Sequence, residues 1–469
     1  MYRASCRVMF ADAAGRAPLC DSGWAPEKDG SPAAAISPPA PCRTRRRDNR
    51  EAFDMPRLYV RRACSADLHK KYAGPFGPGL SWCYSQPFFT GTAMGPQFAT
   101  TFTGLRFENP FLLASAPPTE SDSNIMRAFD AGWGGVVTKT IGLHPVVNVA
   151  GPKTKFLRAN PESGTLSMQK RPGTALHSSW NWELISDKPL DWWVPRISRI
   201  KRAHPKRILV ASIMAGSGTD EELRNWQTLA KACQGEGADA VELNLSCPHM
   251  DRKDMGSNIG KDQGLISIVT QAVAEVASVP IWAKLTPSTT DIVVEAGGAF
   301  LGGATAVTSS NTFPSLPLID PDTLEFEMNV DGFVSSGGLG GPAILPQSMA
   351  KMVQLTQAFP DKAFSGIGGI AEFAHALNYF LLGCGTVQVC TAAMLDHAIG
   401  PNVIKSLIAG MGDAMERHGW ASLDDFRGIR RDRIVPHSRI RRPDAKAYHG
   451  GYEAEGYAGE DVPAAKSEH

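Results

Sequence analysis

Residues 237–249 read Gly-Ala-Asp-Ala-Val-Glu-Leu-Asn-Leu-Ser-Cys-Pro-His, and the fold turns on them. The run 240–246 is short and rich in apolar residues, which predicts a buried strand. Asn244 and Ser246 alternate with apolar neighbours, so both side chains point the same way. A Cys-Pro step then breaks the strand, and a long polar stretch follows through Arg252, Lys253, Asp254, Gly256 and Asn258 to Gly260. Such a glycine-punctuated stretch suits a mobile lid.

Outward from this strand the same unit repeats. An amphipathic segment over 221–236 precedes it and another over 266–277 follows it. Beyond these lie apolar runs at 208–214 and 280–286. Carried along the chain, the pattern gives strands over 111–116, 135–140, 208–214, 240–246, 280–286, 305–311, 363–369 and 386–392. Helical segments also fall at 123–131, 346–358 and 371–382. Strands separated by helices must pair in parallel, because each crossover carries the chain back to its starting side. Eight such units predict an α/β fold, a closed (β/α)8 TIM barrel, over 94–426. No GxGxxG follows the first strand, which argues against a Rossmann domain.

The 469 residues are 43% hydrophobic, enough for a large core, and carry 48 basic against 47 acidic side chains. A net charge of +1 gives no drive toward nucleic acid or a membrane surface. No apolar run reaches the roughly 20 residues that cross a bilayer. The nine cysteines form no CxxC pair, so neither a zinc site nor an iron–sulfur run is visible and no metal is expected. An odd number of scattered thiols fits a reducing, cytoplasmic setting.

Residues 1–93 differ in texture. They are rich in Ala, Pro, Arg and Ser, with a basic knot from Arg43 to Arg47, and they read as a disordered extension. Two alternatives stay open for this stretch: a weak organelle presequence, and a true start at Met94. Residues 427–469 run from basic to acidic and read as a poorly ordered tail without a ferredoxin domain.

In barrels of this kind the chemistry sits at the carboxyl ends of the strands. The first strand ends in Ala114 and Ser115, small enough for a flat cofactor to approach the backbone. The second ends at Lys139 and the fifth at Lys284. One such lysine is weak evidence; two imply an anionic or easily reduced partner, such as a reduced flavin. Cys247, with an ordinary thiol pKa of about 8.5, stays protonated at neutral pH and can give a proton to a carbanion-like carbon. Asn244 and Asn311 each offer a donor and an acceptor to a ring with alternating carbonyl and N–H groups. Glycine turns at 337–341 and 366–369, with Cys390 and Thr391 after the eighth strand, fall where such barrels bind phosphate.

Together these segments resemble the dihydroorotate dehydrogenase superfamily and, within it, the pyrimidine-reducing flavin barrels of dihydropyrimidine dehydrogenases. The resemblance runs from about Leu105 to Gly428. It includes Ala-Ser-Ala-Pro-Pro-Thr at 114–119, Trp-Asn-Trp-Glu-Leu-Ile-Ser at 180–186, Asn-Leu-Ser-Cys-Pro-His at 244–249, Ala-Lys-Leu-Thr-Pro at 283–287 and Gly-Ile-Gly-Gly-Ile at 366–370. The segments at 180–186 and 244–249 are those of the pyrimidine branch. The resemblance implies FMN as cofactor, with Ala114, Ser115, Lys139, Lys284, Gly341, Gly369, Cys390 and Thr391 around it. It implies Cys247 as the general acid at C5 of the base while hydride reaches C6. It implies Asn181, Asn244, Ser246, Asn311 and Thr312 as pyrimidine contacts; Asn181 comes from the resemblance alone.

The expected activity is therefore flavin-dependent interconversion of uracil or thymine with their 5,6-dihydro forms. A dihydroorotate dehydrogenase is the related alternative, and a non-catalytic flavin-carrying subunit the alternative of another class. Relatives of the bacterial type continue into a ferredoxin-like domain with CxxCxxCxxxCP runs, absent from this sequence. NAD(P) is thus expected to act only indirectly, through an electron-transferring flavoprotein or iron–sulfur partner subunit, with the chain itself a homo-oligomer. The stretch 314–331 departs from the family pattern and is expected to reshape the pocket.

Overall fold

Eight short runs whose residues are buried, save the half-buried first residue of the seventh, pair side by side into a closed parallel barrel. They are β1 (Phe111–Leu113), β2 (Gly135–Val137), β3 (Ile208–Ile213), β4 (Ala240–Leu245), β5 (Ile281–Leu285), β6 (Ala306–Ser309), β7 (Ala363–Ile367) and β8 (Thr386–Val389). The structure, a computed structural model, describes residues 98–441 apart from 161, 164, 165, 170–176 and 251. The expectations for 1–93 and for the tail beyond 441 lie outside the described residues.

The strands follow one another around the barrel in chain order. The ring closes where Val389 of β8 pairs with Leu113 of β1. Each expected strand is present, but the ladders stop one to three residues short of the expected carboxyl ends. Backbone bonding persists past these ends at Ala114, whose N–H donates to Val389 O at 2.9 Å, at Thr138, which donates to Val210 O at 2.9 Å, and at Ile141, which donates to Ser212 O at 2.8 Å.

The helices α1 (Asp122–Ala131), α2 (Leu190–Ala203), α3 (Asp220–Gly235), α4 (Gln263–Ala274), α5 (Ile292–Leu301), α6 (Leu345–Ala358), α7 (Phe373–Leu381), the short α8 (Thr391–Leu395) and α9 (Pro401–His418) accompany the strands. Ser121, Thr219 and Asp262 cap α1, α3 and α4 by accepting from backbone N–H groups. Each cap satisfies donors that the first helical turn leaves free. Between strands and helices runs one large apolar core.

Two additions close the barrel's ends. A hairpin of Thr100–Phe102 and Leu105–Phe107 brings Phe102 and Phe107 into a cluster with Leu112, Val137, Val210 and Trp282. Phe102 meets Trp282 edge to face at 5.1 Å between ring centres. The indole N–H of Trp282 donates to Thr103 Oγ1 at 3.1 Å, so the floor is packed shut by aromatic rings. At the opposite end lies a five-stranded antiparallel sheet of Phe313–Ser315, Gly337–Gly340, Ser178–Asn181, Thr154–Ala159 and Leu166–Gln169, in that spatial order. It has its own core of Leu157, Met168, Trp180, Trp182 and Met328. The excursion at 314–331 belongs to this mouth sheet and its flanks, with Leu318 and Val330 packed against that core.

Past Phe426, which is fully buried, the described chain forms two short turns, Arg431–Arg433 and His437–Arg439. The Gln357 amide of α6 donates to the carbonyls of Arg431 and Ile434, both at 2.8 Å.

Candidate active site

At the carboxyl ends of the strands a cleft of about 1020 Å³, counted out to open solvent, lies between the barrel and the mouth sheet. Thirteen of the fourteen residues expected at the site line it: Cys247; Asn181, Asn244, Asn311 and Thr312; Ala114, Ser115, Lys139 and Lys284; Gly341, Gly369, Cys390 and Thr391. Ser246 does not. It is buried behind the wall at 1% exposure.

The polar wall is built on β4. Asn244 follows Leu243 with its side chain turned inward, and its Nδ2 donates to Thr140 Oγ1 at 2.9 Å. Thr140 shares short contacts with the hydroxyls of Ser212 at 2.8 Å and Ser115 at 3.2 Å. Ser246 donates from Oγ to Asn244 Oδ1 at 3.0 Å. Asn311 in turn donates from Nδ2 to Ser246 Oγ at 2.9 Å and to Ser246 O at 3.1 Å. The Asn311 carbonyl is held by the backbone N–H of Thr312 at 2.7 Å. Each amide thus spends most of its capacity on its neighbours: Asn244 keeps one N–H, while the Asn311 carbonyl also takes the Thr312 hydroxyl at 3.4 Å.

Cys247 opens the loop after β4 and is 5% exposed. Burial pushes its thiol pKa up, opposed by the backbone N–H of His249 and by the nearby Lys139 and Lys284. The thiol keeps its proton at neutral pH. The loop folds back beneath it: Ser257 N donates to Cys247 O at 2.9 Å. Gly256 at φ +57° passes so close that an added Cβ would stand 2.5 Å from that same oxygen. The polar stretch expected as a lid carries a 3-10 turn, Gly256–Lys261, and Arg252 bridges Glu222 and Asp254, both at 2.6 Å.

The two lysines differ. Lys139 pairs with Glu183 at 3.2 Å, whose other oxygen accepts from Thr154 Oγ1 at 3.3 Å. Glu120 stands near this pair; its carboxyl pKa is raised by burial, with Lys139 opposing and Glu183 adding to the shift. Lys284 is 5% exposed, and among the described residues none takes a hydrogen bond or an ion pair from it. A buried ammonium without a partner is costly, so its place at a cavity wall suits an anionic ligand.

His249 also faces the cleft. Its Nδ1 lies 3.1 Å from Glu183 O, so Nδ1 carries the proton and donates. Burial lowers the ring's pKa, and the buried Nε2 has no hydrogen-bond partner among the described residues. The neutral ring thus presents a free acceptor.

At the far end the wall becomes backbone. Gly341, Gly368 and Gly369 have φ of +84°, +124° and +80°. A Cβ at Gly369 would lie 2.5 Å from Leu345 Cβ, and one at Gly341 3.2 Å from Thr391 Cγ2. The site therefore needs glycine there, and bare backbone faces the cleft. Among the described residues no carbonyl or side chain accepts from the N–H of Gly368 or Gly369. A flat group with a negative head and a phosphate tail fits this combination of unpaired lysine and open glycine turn. No group of three His, Cys, Asp or Glu side chains among the described residues could hold a metal.

Glu183, Thr140 and His249 line the cleft without having been singled out as site residues. For Glu183 a signal existed. In the run Trp180-Asn181-Trp182-Glu183 both tryptophans are buried in the mouth sheet's core, while Asn181 and Glu183 line the cleft. That is the alternation of a strand with one face on a cavity.

Comparison with known proteins finds a family model and several relatives. A family model described as dihydroorotate dehydrogenase matches residues 191–413. The chloroplastic dihydropyrimidine dehydrogenase (NADP(+)) of Arabidopsis thaliana is 36% identical over 343 residues, covering 71% of this chain and 76% of that protein. The NAD-dependent dihydropyrimidine dehydrogenase subunit PreA of Escherichia coli K12 is 33% identical over 339 residues, 72% and 77% of the two chains. The catalytic subunit of dihydroorotate dehydrogenase B (NAD(+)) of Methanothermobacter thermautotrophicus is 30% identical over 335 residues, 71% of this chain and 98% of the relative.

Proposed function

The chain belongs to the dihydroorotate dehydrogenase family, and from that premise we propose that it interconverts uracil or thymine with their 5,6-dihydro forms using flavin mononucleotide. The observation that carries the proposal is one cleft holding a buried thiol, the linked amides of Asn244 and Asn311, and an unpaired buried ammonium.

Lys284 would stand by the electron-rich edge of the flavin ring, where a positive charge favours the reduced, anionic form. Ala114 and Ser115 leave room for the ring against the backbone, and the turn at Gly368 and Gly369 would take the phosphate. FMN bound there would supply hydride chemistry at C6 of the pyrimidine. Asn181, Asn244, Asn311 and Thr312 would hold the base by its carbonyl and N–H edges, each with the bonding capacity left to it. Cys247 would hold a proton at Sγ and give it to C5 in the reducing direction, or take it from C5 in the other. The Ser246 hydroxyl would hold the two asparagines in register without touching the base. Glu183 would fix Lys139 and, through its backbone carbonyl, the ring of His249.

The relatives from E. coli and M. thermautotrophicus are named as subunits. We take this chain likewise to exchange electrons with a separate flavoprotein or iron–sulfur partner that handles the nicotinamide.

The deciding experiment is the visible spectrum of purified protein, followed by anaerobic titration with dihydrouracil and, separately, dihydroorotate. Bleaching of a flavin band by dihydrouracil is the expected result. Bleaching by dihydroorotate alone would move the activity to pyrimidine biosynthesis. Protein that stays colourless after incubation with FMN would end the flavin reading.

A further inference from the structure

The turn that ends β7 is fastened from behind by a single phenol. Tyr379, on α7, is fully buried. Its ring packs against the strand at Gly366, where an added Cβ would come within 2.4 Å of Tyr379 Cδ1. From there its hydroxyl reaches past the strand end, donating to Gly368 O at 2.7 Å with Ile367 O at 3.2 Å. One residue of the Gly-Ile-Gly-Gly run thus makes room for the ring, and the next two turn under its hydroxyl.

The consequence follows from peptide geometry. The peptide unit is planar, so fixing the carbonyl of Gly368 fixes the N–H of Gly369 in the opposite direction. With φ of +124° and +80°, these glycines have wide conformational freedom in the absence of a tether. The tether lies on the side away from the cleft, since both glycines line the cleft while Tyr379 is wholly buried.

We propose that Tyr379 is a positioning residue for phosphate binding: its hydroxyl holds the Gly368–Gly369 peptide so that its N–H faces the phosphate of the flavin nucleotide. This rests on the flavin reading above and adds to it the residue that orients the phosphate-binding turn. Tyr379 touches neither base nor flavin ring; it acts through the backbone.

The test uses the full-length chain freed of flavin, and Tyr379→Phe, which keeps the ring against Gly366 and removes only the hydroxyl. Binding of FMN and of riboflavin is followed by quenching of flavin fluorescence. The expected result is a Kd for FMN raised by about tenfold, the scale of one lost hydrogen bond, with riboflavin affinity unchanged. Equal weakening of both flavins would make Tyr379 a merely structural residue and overturn the proposal, as would unchanged FMN affinity. A second measurement holds if the variant is less stable: inorganic phosphate should raise the melting temperature of flavin-free wild type and not that of Tyr379→Phe. Equal phosphate shifts in the two proteins would also overturn it. Wild type that binds neither flavin would bring down the flavin reading itself, whereas wild type that binds riboflavin as tightly as FMN would remove the phosphate role alone.

Discussion

The Asn311 amide nitrogen stands 2.9 Å from the Ser246 hydroxyl, tying the segment after β6 directly to the end of β4. Through the Ser246 bond to Asn244 at 3.0 Å, the two amides offered to a ligand become one unit. Ser246→Ala should remove one bond from each amide, leaving Asn311 its bond to Ser246 O and Asn244 its bond to Thr140, with the cavity's shape unchanged. We expect KM for the pyrimidine to rise by about tenfold, the worth of one to two hydrogen bonds, with flavin content retained. Steady-state kinetics read this, and an unchanged KM would show that the amides hold their places without the serine.

Cys247→Ala should bind flavin as the wild type does and lose about two or more orders of magnitude in turnover, the usual cost of removing a general acid. Turnover at the wild-type rate would remove the acid role from this thiol.

The same group sets a pH dependence. Its pKa is raised, chiefly by burial, and the protonated thiol is the proton donor. Pyrimidine reduction should therefore be fully supported below the raised pKa and lost as pH climbs through it. The alkaline limb of the kcat profile should lie above the ordinary thiol value of about 8.5, and should be missing from whatever activity Cys247→Ala retains. A limb below that value in the wild type would contradict the assignment.

Lys284→Ala should lower flavin occupancy or slow flavin reduction, because it removes the one buried ammonium that the described residues leave unpaired. Absorbance per mole of purified protein, with stopped-flow reduction by dihydrouracil, measures both. Full occupancy with an unchanged rate would place the flavin's charge elsewhere.

Gly256→Ala should destabilise the protein by about 1–3 kcal/mol, the usual cost of a strained backbone at positive φ. The new methyl would also press on the Cys247 carbonyl. A lower melting temperature and faster alkylation of Cys247 by iodoacetamide are expected together. A methyl group accepted without either change would mean the loop has room to move there.

The barrel was legible because its strands are buried on every face and read as mostly apolar runs, such as Ile208–Ile213. The residues at their ends were legible for the reverse reason: Lys139, Lys284 and Asn244 are polar interruptions at the carboxyl end of such runs. The mouth sheet was not. Its strands are three to six residues long, one holds Pro314 and another three glycines, and its central pairing joins 337–340 to 178–181, far apart in sequence. Asn181 was reached by family resemblance, and Glu183, two residues on, was passed over although the tryptophans beside it marked a two-sided strand. The Lys139–Glu183 pair could not be read from the sequence either, since it joins β2's end to that sheet. Ser246 was expected to share Asn244's direction, and the two side chains do meet at 3.0 Å, but alternation says nothing of depth, and the hydroxyl does not line the cleft.

With Phe102, Phe107 and Trp282 stoppering one end and Glu242, Thr308 and Gln388 filling the interior, the described residues leave no passage through the barrel. A ring that binds at the mouth therefore leaves on the mouth side as well. Arrival of the next molecule then waits on departure of the last, and a reluctant exit would govern the pace of the whole cycle.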